Sequence, residues 1–517
     1  MKKKINHILP ALVLTASLGL TTVSCNGFLD EMPDNRTELN TDQKIAKLLV
    51  SAYADVSPNE LFELYSDNSD DSGPTYGYYK LSEQECYHWQ DTKEEYQDTP
   101  NSLWGGYYSA IAAANMALNA IEEKGNPASL DPQRGEALVC RAYCHFMLAN
   151  IFCNAYDTHA SQSLGVPYME EVETTVSPRY ERGTLEEVYR KVERDLLEGI
   201  DLISDDSYSV PKYHFTRKAA YAFAARFYLY YMKPDFSNCD RVIDFAPRVL
   251  GTNPADLLRN WEALGNLSVN GNVQADAYIA SSNEANLLIS STVSNWGAIG
   301  SDYLIGPRYF HNQTLATSET CLSSGLWGSS DYFYLKPFST NGFVASILRK
   351  SGLYEGTYLY YMPVLFSTDE TLLCRAEAYA LKKMYAQSAA DITSWQRAYT
   401  RNKSVLTPEQ INTYYDKMSF YTPFTQQTPK KKLAPDFMIE EGMQENFIHC
   451  ILHIRRITTL HEGMRWPDIK RYGILIYRRD MANQRVTDEM PPNDLRYAIQ
   501  IPRSVIVAGI QPNPRRN

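Results

Sequence analysis

The sequence predicts a mainly α-helical fold, in which a scaffold of tetratricopeptide-like helix pairs carries large loop-rich insertions. Apolar residues recur with helical spacing up to about residue 250, and this spacing returns after residue 366. Between residues 252 and 365 the spacing fades, and Asn, Ser, Gly and aromatic residues become frequent. The 517 residues are 44% apolar and 21% charged, which indicates a globular chain with enough apolar side chains for a large core.

The first 41 residues are predicted to direct export and anchoring. Three lysines at positions 2–4 precede an apolar centre at residues 8–20, and small or hydroxylated residues then lead to Cys25. This order is typical of a secretory signal peptide over residues 1–24, and its apolar part is shorter than the roughly 20 residues of a membrane span. Cys25 resembles the acylated cysteine of a bacterial lipobox. Residues 25–41 are therefore expected to be a lipidated tether at a membrane surface.

Helical signals are clearest in the first half of the chain. Thr184 and Glu187 form a capping-box pattern at the start of one helix, and Pro132 occupies a position favoured in the first turn of another. The spacing of Trp104, Tyr107 and the following alanines resembles a tetratricopeptide helix without a strict 34-residue repeat, so ordinary bundle packing stays open as an alternative. The predicted helices cover residues 101–123, 131–154, 184–204 and 216–232.

The second half is predicted to contain one large insertion and a return to the scaffold. Residues 358–362 suggest an irregular strand, and residues 408–435 are expected to be loop-rich, with Lys430, Lys431 and Lys432 in a solvated turn. Helices are expected over residues 368–384, 388–400 and 440–463. We therefore expect a single domain over residues 42–517, with the scaffold at about 42–250 and 366–517 and the insertion at about 252–365.

Several functional classes are disfavoured by the sequence. The formal charge of −11 argues against nucleic-acid binding, which needs a basic surface. His449 and His453 lie one helical turn apart, as metal ligands can, but nearby arginines disfavour a cation. We expect no metal, no cofactor and no catalytic residue, although a carboxylate pair for glycoside hydrolysis stays open among the 61 acidic residues. The eight cysteines after Cys25 form no C-x-x-C pair and are expected to be buried free thiols.

A family resemblance is carried by four separate stretches of the chain. The stretch Glu-Gly-Met-Arg-Trp-Pro-Asp-Ile-Lys-Arg at residues 462–471 resembles the EG-x-RW-x-D-x-x-R segment of the SusD/RagB family of outer-membrane nutrient-binding lipoproteins. The Phe-Leu-Asp after Cys25, the stretches at residues 141–146 and 165–167, and Leu-Leu-Cys-Arg-Ala-Glu-Ala at residues 372–378 are similar to other parts of that family. The sequence is therefore identified as a member with a SusD-like fold.

The charged residues of these motifs are interpreted as structural. We expect them to form buried ion pairs that fix helix positions, and breaking such a pair costs roughly 3–5 kcal/mol because one charge is left unpaired. The residues are Arg375, Glu377, Glu462, Arg465, Asp468 and Arg471.

The resemblance implies a function in nutrient capture. Members of the family bind oligosaccharides, or peptides in some branches, at the cell exterior and pass them to a TonB-dependent β-barrel transporter of the outer membrane. They perform no covalent chemistry. A surface glycan-degrading enzyme and an interaction scaffold without a small ligand are the alternative interpretations.

Ligand contacts are expected from aromatic residues in the loop-rich segments, because the family grips its ligands with such rings. Each ring also has a plainer interpretation, since a Trp in a long loop commonly anchors that loop to the scaffold. In the N-terminal insertion, which begins near Ser66, the candidates are Tyr87 and Trp89 with the neighbouring His88. In the central insertion they are Trp296, Tyr303, Tyr309, Trp327 and Tyr332.

Overall fold

The computed structural model describes nine segments of the chain, which are residues 39–75, 79–174, 179–268, 273–296, 308–335, 338–340, 343–345, 352–355 and 358–515. The predicted signal peptide, Cys25 and Tyr303 lie outside these residues. The described residues from Asn40 onward form one compact unit.

Helices dominate the described residues, and the predicted mainly α-helical fold is confirmed. The α-helices are α1 (Asp42–Leu48), α2 (Asn59–Tyr65), α3 (Leu81–Tyr87), α4 (Pro100–Glu123), α5 (Asp131–Phe152), α6 (Leu185–Leu202), α7 (Arg217–Tyr230), α8 (Ser237–Leu250), α9 (Trp261–Gly265), α10 (Val273–Ile279), α11 (Gln313–Glu319), α12 (Thr368–Leu381), α13 (Tyr385–Tyr399), α14 (Pro408–Lys417), α15 (Met443–Thr458), α16 (Arg465–Tyr472) and α17 (Arg503–Val507). Short 3₁₀ turns cover Leu49–Ala52, Ala128–Leu130, Asp205–Ser207, Pro211–Tyr213, Pro254–Asp256, Ser330–Tyr332 and Leu495–Tyr497.

The long helices begin and end close to the predicted positions because their signals are local. At the start of α6 the Thr184 hydroxyl accepts a hydrogen bond from the Glu187 N–H, and the Glu187 carboxylate accepts one from the Thr184 N–H. This is the capping box that the sequence indicated. Helix α5 is buried around nearly its whole circumference, as its apolar composition required.

Neighbouring helices in the chain pack as neighbours in space. Helix α5 lies between α4 and α6, and α7 packs against α8. Helix α12 joins the two parts of the scaffold, since it contacts α7 and α8 from the first part and α13 and α15 from the second. Short connections between antiparallel helices favour this arrangement of helix pairs.

The strands are short and join distant parts of the chain. A four-stranded sheet has the order β11-β10-β1-β4, in which β1 is parallel to β10 and antiparallel to β4. The other pairings are β2-β9, β3-β8-β7 and β5-β6. The strands are β1 (Asp70–Asp71), β2 (Asn286–Ile289), β3 (Thr292–Val293), β4 (Tyr309–Phe310), β5 (Phe338–Thr340), β6 (Phe343–Ala345), β7 (Gly352–Glu355), β8 (Tyr358–Tyr361), β9 (Val364–Ser367), β10 (Ile476–Asp480) and β11 (Arg485–Met490).

Three predictions for the C-terminal third differ from the structure. The supposedly loop-rich region contains α14, whose first turn has a capping box formed by Thr407 and Gln410. Lys430 and Lys431 are buried instead of solvated, because Lys431 forms ion pairs with two buried carboxylates. The predicted last helix is also shorter than expected, since it ends at Thr458 and a separate helix α16 begins at Arg465.

Two further properties of the fold concern its cysteines and its longest helices. All eight cysteines from Cys86 to Cys450 are buried and free. Within the described segments, no helix combines the length and the apolar character that crossing a bilayer requires.

Candidate functional site

Three distant segments of the chain meet at strand β1. Asp71 in β1 pairs with Tyr309 in β4 and, on the other side, with Asp480 in β10. The Ser72 N–H also donates to the Arg308 carbonyl over 2.9 Å. The N-terminal and central loop-rich segments, which the sequence singled out separately, therefore share one sheet edge.

Aromatic rings from both segments cluster at this edge. The Tyr309 ring stacks on Tyr87 with 4.7 Å between ring centroids, and it meets Tyr79 edge-on at 5.6 Å and His88 at 5.9 Å. Tyr87 and Tyr309 are buried, whereas 40% of Tyr79 is exposed. Tyr79 is therefore the ring of this cluster that a ligand in solution can reach.

A planar ion pair flanks the exposed ring. Arg308 holds Asp71 with two hydrogen bonds, Nε to Oδ1 at 2.7 Å and Nη2 to Oδ2 at 2.8 Å. The guanidinium carbon lies 5.1 Å from the Tyr79 ring centroid and 5.0 Å from that of Tyr309. The hydrogen bond to Asp71 raises the pKa of Arg308, so the guanidinium keeps its positive charge at neutral pH. We call Tyr79, His88, Arg308, Tyr309 and Asp71 the tyrosine surface.

Two further properties affect what this surface can bind. Burial, together with the nearby Arg478, lowers the pKa of His88, so its imidazole is neutral at neutral pH. The buried Tyr309 hydroxyl has no hydrogen-bond partner among the described residues. The surface thus combines an accessible aromatic face with charged and neutral hydrogen-bonding groups.

Tyr87 and Trp89 lie beneath this surface and pack against Arg478. The Arg478 guanidinium lies 4.3 Å from the Tyr87 ring and 4.0 Å from the Trp89 ring, and it donates to the carbonyls of residues 64–66 at the end of α2. The Trp89 indole donates to the Tyr65 carbonyl over 2.9 Å. Both rings are buried, so neither offers a face to a ligand unless its neighbours move.

The remaining predicted aromatics are dispersed. Trp296 is buried and donates to the His461 carbonyl over 2.8 Å. Trp327 is buried among other aromatic rings, with the Phe333 ring centroid at 5.2 Å. Tyr332 is 43% exposed, in a 3₁₀ turn. Of the predicted ligand contacts, the structure thus brings Tyr87, Trp89 and Tyr309 together and places the other described ones elsewhere.

Tyr79, Arg308 and Asp71 were not predicted from the sequence. Tyr79 ends a tyrosine-rich run at residues 76–79, and this run was the available signal. Arg308 and Asp71 carried no signal, because they become neighbours only through the pairing of two-residue strands separated by more than 230 positions.

The motif residues lie on the scaffold, where each contacts a side chain of a neighbouring element. Arg375 pairs with Asp391 at 2.7 Å, and Arg465 holds Asp67 at 2.7 and 2.9 Å. The Tyr278 hydroxyl donates to Glu462 over 2.6 Å. The three remaining residues, with Arg455, form one connected group. Its contacts are Arg471 to Glu377 at 2.9 Å, Arg471 to Asp468 at 2.7 Å and Arg455 to Asp468 at 3.1 Å.

A histidine pair and a small cavity lie elsewhere in the scaffold. His449 contacts Glu445 at 3.5 Å and His453 contacts Tyr415 at 2.9 Å, and in the described part of the chain no group of three potential ligands could hold a metal ion. A cavity of about 50 Å³ lies between α2, α5 and α7, with Arg226 and Glu370 in its wall. It has room for a few water molecules and is too small for a sugar.

Comparisons with known proteins agree with the family resemblance seen in the sequence and with the mainly α-helical fold. Residues 27–229 match a family model described as "SusD-like_3: Starch-binding associating with outer membrane". No curated protein matches the chain. Among solved structures, a SusD superfamily protein from Bacteroides vulgatus is 19% identical, with a TM-score of 0.58 over 92% of this chain and 98% of that one.

Two further structures from the same organism show the same fold. A SusD-like carbohydrate binding protein is 14% identical, with a TM-score of 0.62 over 90% of this chain and 96% of that one. A putative sugar binding protein is 20% identical, with a TM-score of 0.61 over 92% and 99%. The predicted resemblance to the SusD/RagB family is confirmed by the family model together with this shared fold.

Proposed function

We propose that this SusD-like chain is a glycan-binding protein of the outer cell surface, and that the tyrosine surface contacts the ligand. The observation that carries the proposal is the exposed Tyr79 ring beside the Asp71–Arg308 pair. The family description names starch binding at the outer membrane, and two structural neighbours are described as carbohydrate or sugar binding. These descriptions support a carbohydrate ligand over a peptide.

The chemistry of the surface suits a sugar. The C–H face of a pyranose can stack on the exposed Tyr79 ring. Its hydroxyls can bond to the Asp71 lone pairs and Arg308 N–H groups that the hydrogen bonds between these two residues do not use. Each aromatic contact contributes about 0.5–1.5 kcal/mol beyond the area it buries. One such contact with a few hydrogen bonds gives a dissociation constant of about 1 mM. A weak grip of this kind suits a protein that must release its ligand.

The arrangement of carboxylates supports binding without catalysis. Glycoside hydrolysis needs one carboxylic acid that can donate a proton and one free carboxylate. At the tyrosine surface Asp71 is held by Arg308, and the neighbouring Asp70 is buried and held by both Nε and Nη2 of Arg479. Two carboxylates that are each held by an arginine are not free to take these two roles.

The remaining parts of the proposal concern location and the fate of the ligand. We assign Cys25 as the lipid attachment site and residues 25–41 as the tether that holds the domain at the outer membrane, facing the exterior. The ligand then passes to a TonB-dependent transporter. The signal-peptide and lipobox patterns and the outer-membrane term in the family description support this assignment.

Affinity electrophoresis of the mature protein with Cys25→Ser tests the proposal. We expect at least one polysaccharide in a panel to retard the protein in native gels, with no reducing ends released. Tyr79→Ala should weaken that binding about 2- to 10-fold, because one ring contact is lost.

The control is Tyr332→Ala, which removes an equally exposed tyrosine from a different loop. Equal weakening by both variants would contradict the assignment of the tyrosine surface. Release of reducing ends would contradict the non-catalytic proposal, and absence of retardation by every polysaccharide would contradict a polysaccharide ligand and favour peptides.

A further inference from the structure

A second concave surface lies on the side of the scaffold formed by α4. It is an open groove of about 560 Å³ between the turn Leu49–Ala52, helix α4, the turn Pro211–Tyr213 and the end of β2. This volume falls within the range of about 300–1,000 Å³ that is typical of small-molecule sites. We call it the Tyr213 groove, and none of its lining residues belongs to the tyrosine surface.

Hydroxyl groups and one carboxylate provide most of the polar lining. Ser51, Ser109 and Ser291 are exposed at the groove, and so is Asp55. Tyr213 forms part of the wall with 39% of its surface exposed. No Lys or Arg is among the lining residues of this groove in the described part of the chain. The lining therefore offers many neutral hydrogen-bonding groups, one negative charge and two tyrosine rings, of which Tyr213 is exposed and Tyr53 is half-buried.

His214 adds a fixed polar group to the groove. Its Nδ1 contacts Glu136 Oε1 at 2.7 Å, and the Tyr53 hydroxyl donates to the same oxygen over 2.7 Å. The Tyr208 ring stacks on the imidazole with 4.5 Å between centroids. A carboxylate bound to Nδ1 fixes the orientation of the ring and leaves Nε2 for a hydrogen bond to a ligand. Glu136 is itself 3% exposed, so this support is a built part of the fold.

The lining selects among small ligands by charge. A phosphate or a sugar acid would meet Asp55 with no cation to balance it, and an apolar ligand would leave the hydroxyls without partners. A neutral sugar satisfies the serines, Asp55 and His214 and can stack on Tyr213. We propose that the Tyr213 groove is a second, independent binding site for a neutral di- or trisaccharide.

Saturation-transfer NMR on the mature Cys25→Ser protein tests this site with maltotriose, cellotriose, xylotriose and mannobiose as probes. At least one probe should bind. Ser109→Trp, which fills the groove from α4, and Tyr213→Ala should each weaken that binding about 5-fold or more, the loss expected for one ring contact or more. Thermal melting confirms that both variants fold.

Two controls separate this site from the first. Asn119→Trp places the same large side chain at another exposed position of α4 and should leave binding in the groove unchanged. Each protein is also measured with Tyr79→Ala added, so that a probe held at the tyrosine surface does not contribute to the signal. The proposal is overturned if no probe binds, if Ser109→Trp leaves every signal unchanged, or if glucuronate binds in the groove and the neutral probes do not. Loss of binding in Tyr79→Ala alone would support the first site and overturn the second.

Discussion

Asp67 is the residue on which several elements of the fold converge. It lies just after α2, is 5% exposed, and accepts hydrogen bonds from Arg465 and from Lys431 at 2.6 Å. Arg456 lies 3.6 Å from the same carboxylate and also pairs with Glu319. Burial opposes ionisation of Asp67, but Arg456, Arg465 and Lys431 outweigh it and hold its pKa well below the ordinary value. Three cations and two carboxylates therefore form one buried cluster.

Asp67→Asn is expected to destabilise the protein strongly. The variant leaves three buried cations with one carboxylate, and removing one partner from a buried ion pair costs about 3–5 kcal/mol. Urea unfolding measures the change in the free energy of unfolding. The control is Asp244→Asn, whose pair with Arg248 is about half exposed on both sides and contributes under about 1 kcal/mol. Similar losses in the two variants would show that the buried cluster has no special role.

At the scale of elements, glycines set the distance between α5 and α6. A Cβ atom on Gly199 would lie 2.6 Å from Val139 Cγ2 and 2.8 Å from the Gly135 carbonyl oxygen. A Cβ on Gly135 would lie 2.8 Å from the Gly199 carbonyl oxygen. The two backbones therefore touch at these positions, and neither helix can accept a larger residue there without moving.

Gly199→Ala should destabilise the protein by about 1–3 kcal/mol, because the added methyl group forces packed helices apart. Gly105→Ala is the matched control, since it lies within α4 and its Cβ would meet no atom within 4 Å. There the lower backbone entropy of the unfolded chain should stabilise the protein by about 0.4–1 kcal/mol. Opposite signs in thermal or urea unfolding are expected, and a neutral Gly199→Ala would contradict the close contact.

Elements with local sequence signals could be predicted, and elements that depend on distant contacts could not. Helix α6 was predicted within a few residues because its cap and its apolar spacing are local properties. Helix α14 also had a local signal, in Pro408 and the capping box of Thr407 and Gln410. The turn-forming residues that follow nevertheless favoured a loop-rich prediction for this region. Strand β1 had none, because two residues cannot show a period and their partners are distant in the chain.

The candidate site was predictable only in part, because contacts between distant segments of the chain leave no local sequence signal. Residue type and location in loop-rich segments pointed to Tyr87 and Tyr309, whose rings stack on each other in the structure. Neither property distinguishes a ring on the surface from one beneath it. Trp89 packs on Arg478 below the surface, and Tyr79 is exposed above it. Burial is decided by contacts with the C-terminal hairpin β10-β11, which joins the site through β1.

At the scale of the whole molecule, buried histidines couple stability to pH. His145, His311 and His453 are 0–2% exposed, and burial lowers their pKa values to about 3, 4 and 3. Each stays neutral in the folded state at pH values where the unfolded chain, with an ordinary histidine pKa of about 6.5, takes up a proton. Their contribution to stability is therefore present above pH 6.5 and is lost as the pH falls towards 4.

Glu63 changes the pH dependence of stability in the opposite direction to the histidines. Burial raises its pKa to about 7, although Asn68 and the Gly463 N–H donate to its carboxylate. The folded protein then holds a proton that the unfolded chain releases above about pH 4.5. This contribution is present at low pH and is lost as the pH rises through 7. The pH dependence of the wild-type free energy of unfolding is the sum of contributions with opposite signs. The contribution of a single histidine is therefore best measured as the difference between a variant and the wild type.

His145→Gln isolates one of these contributions. The His145 Nδ1 contacts the Arg141 carbonyl at 2.9 Å and Nε2 accepts from the Met169 N–H over 3.0 Å, so protonation of Nε2 breaks a buried hydrogen bond. Between pH 6.5 and pH 5.0 the wild type should lose about 1.5–2 kcal/mol more unfolding free energy than the variant, because its unfolded state gains a proton that the variant cannot bind. Urea unfolding at the two pH values measures this difference. His159→Gln, which replaces an exposed imidazole, should follow the wild type, and parallel profiles for all three proteins would show that His145 is protonated in the folded state.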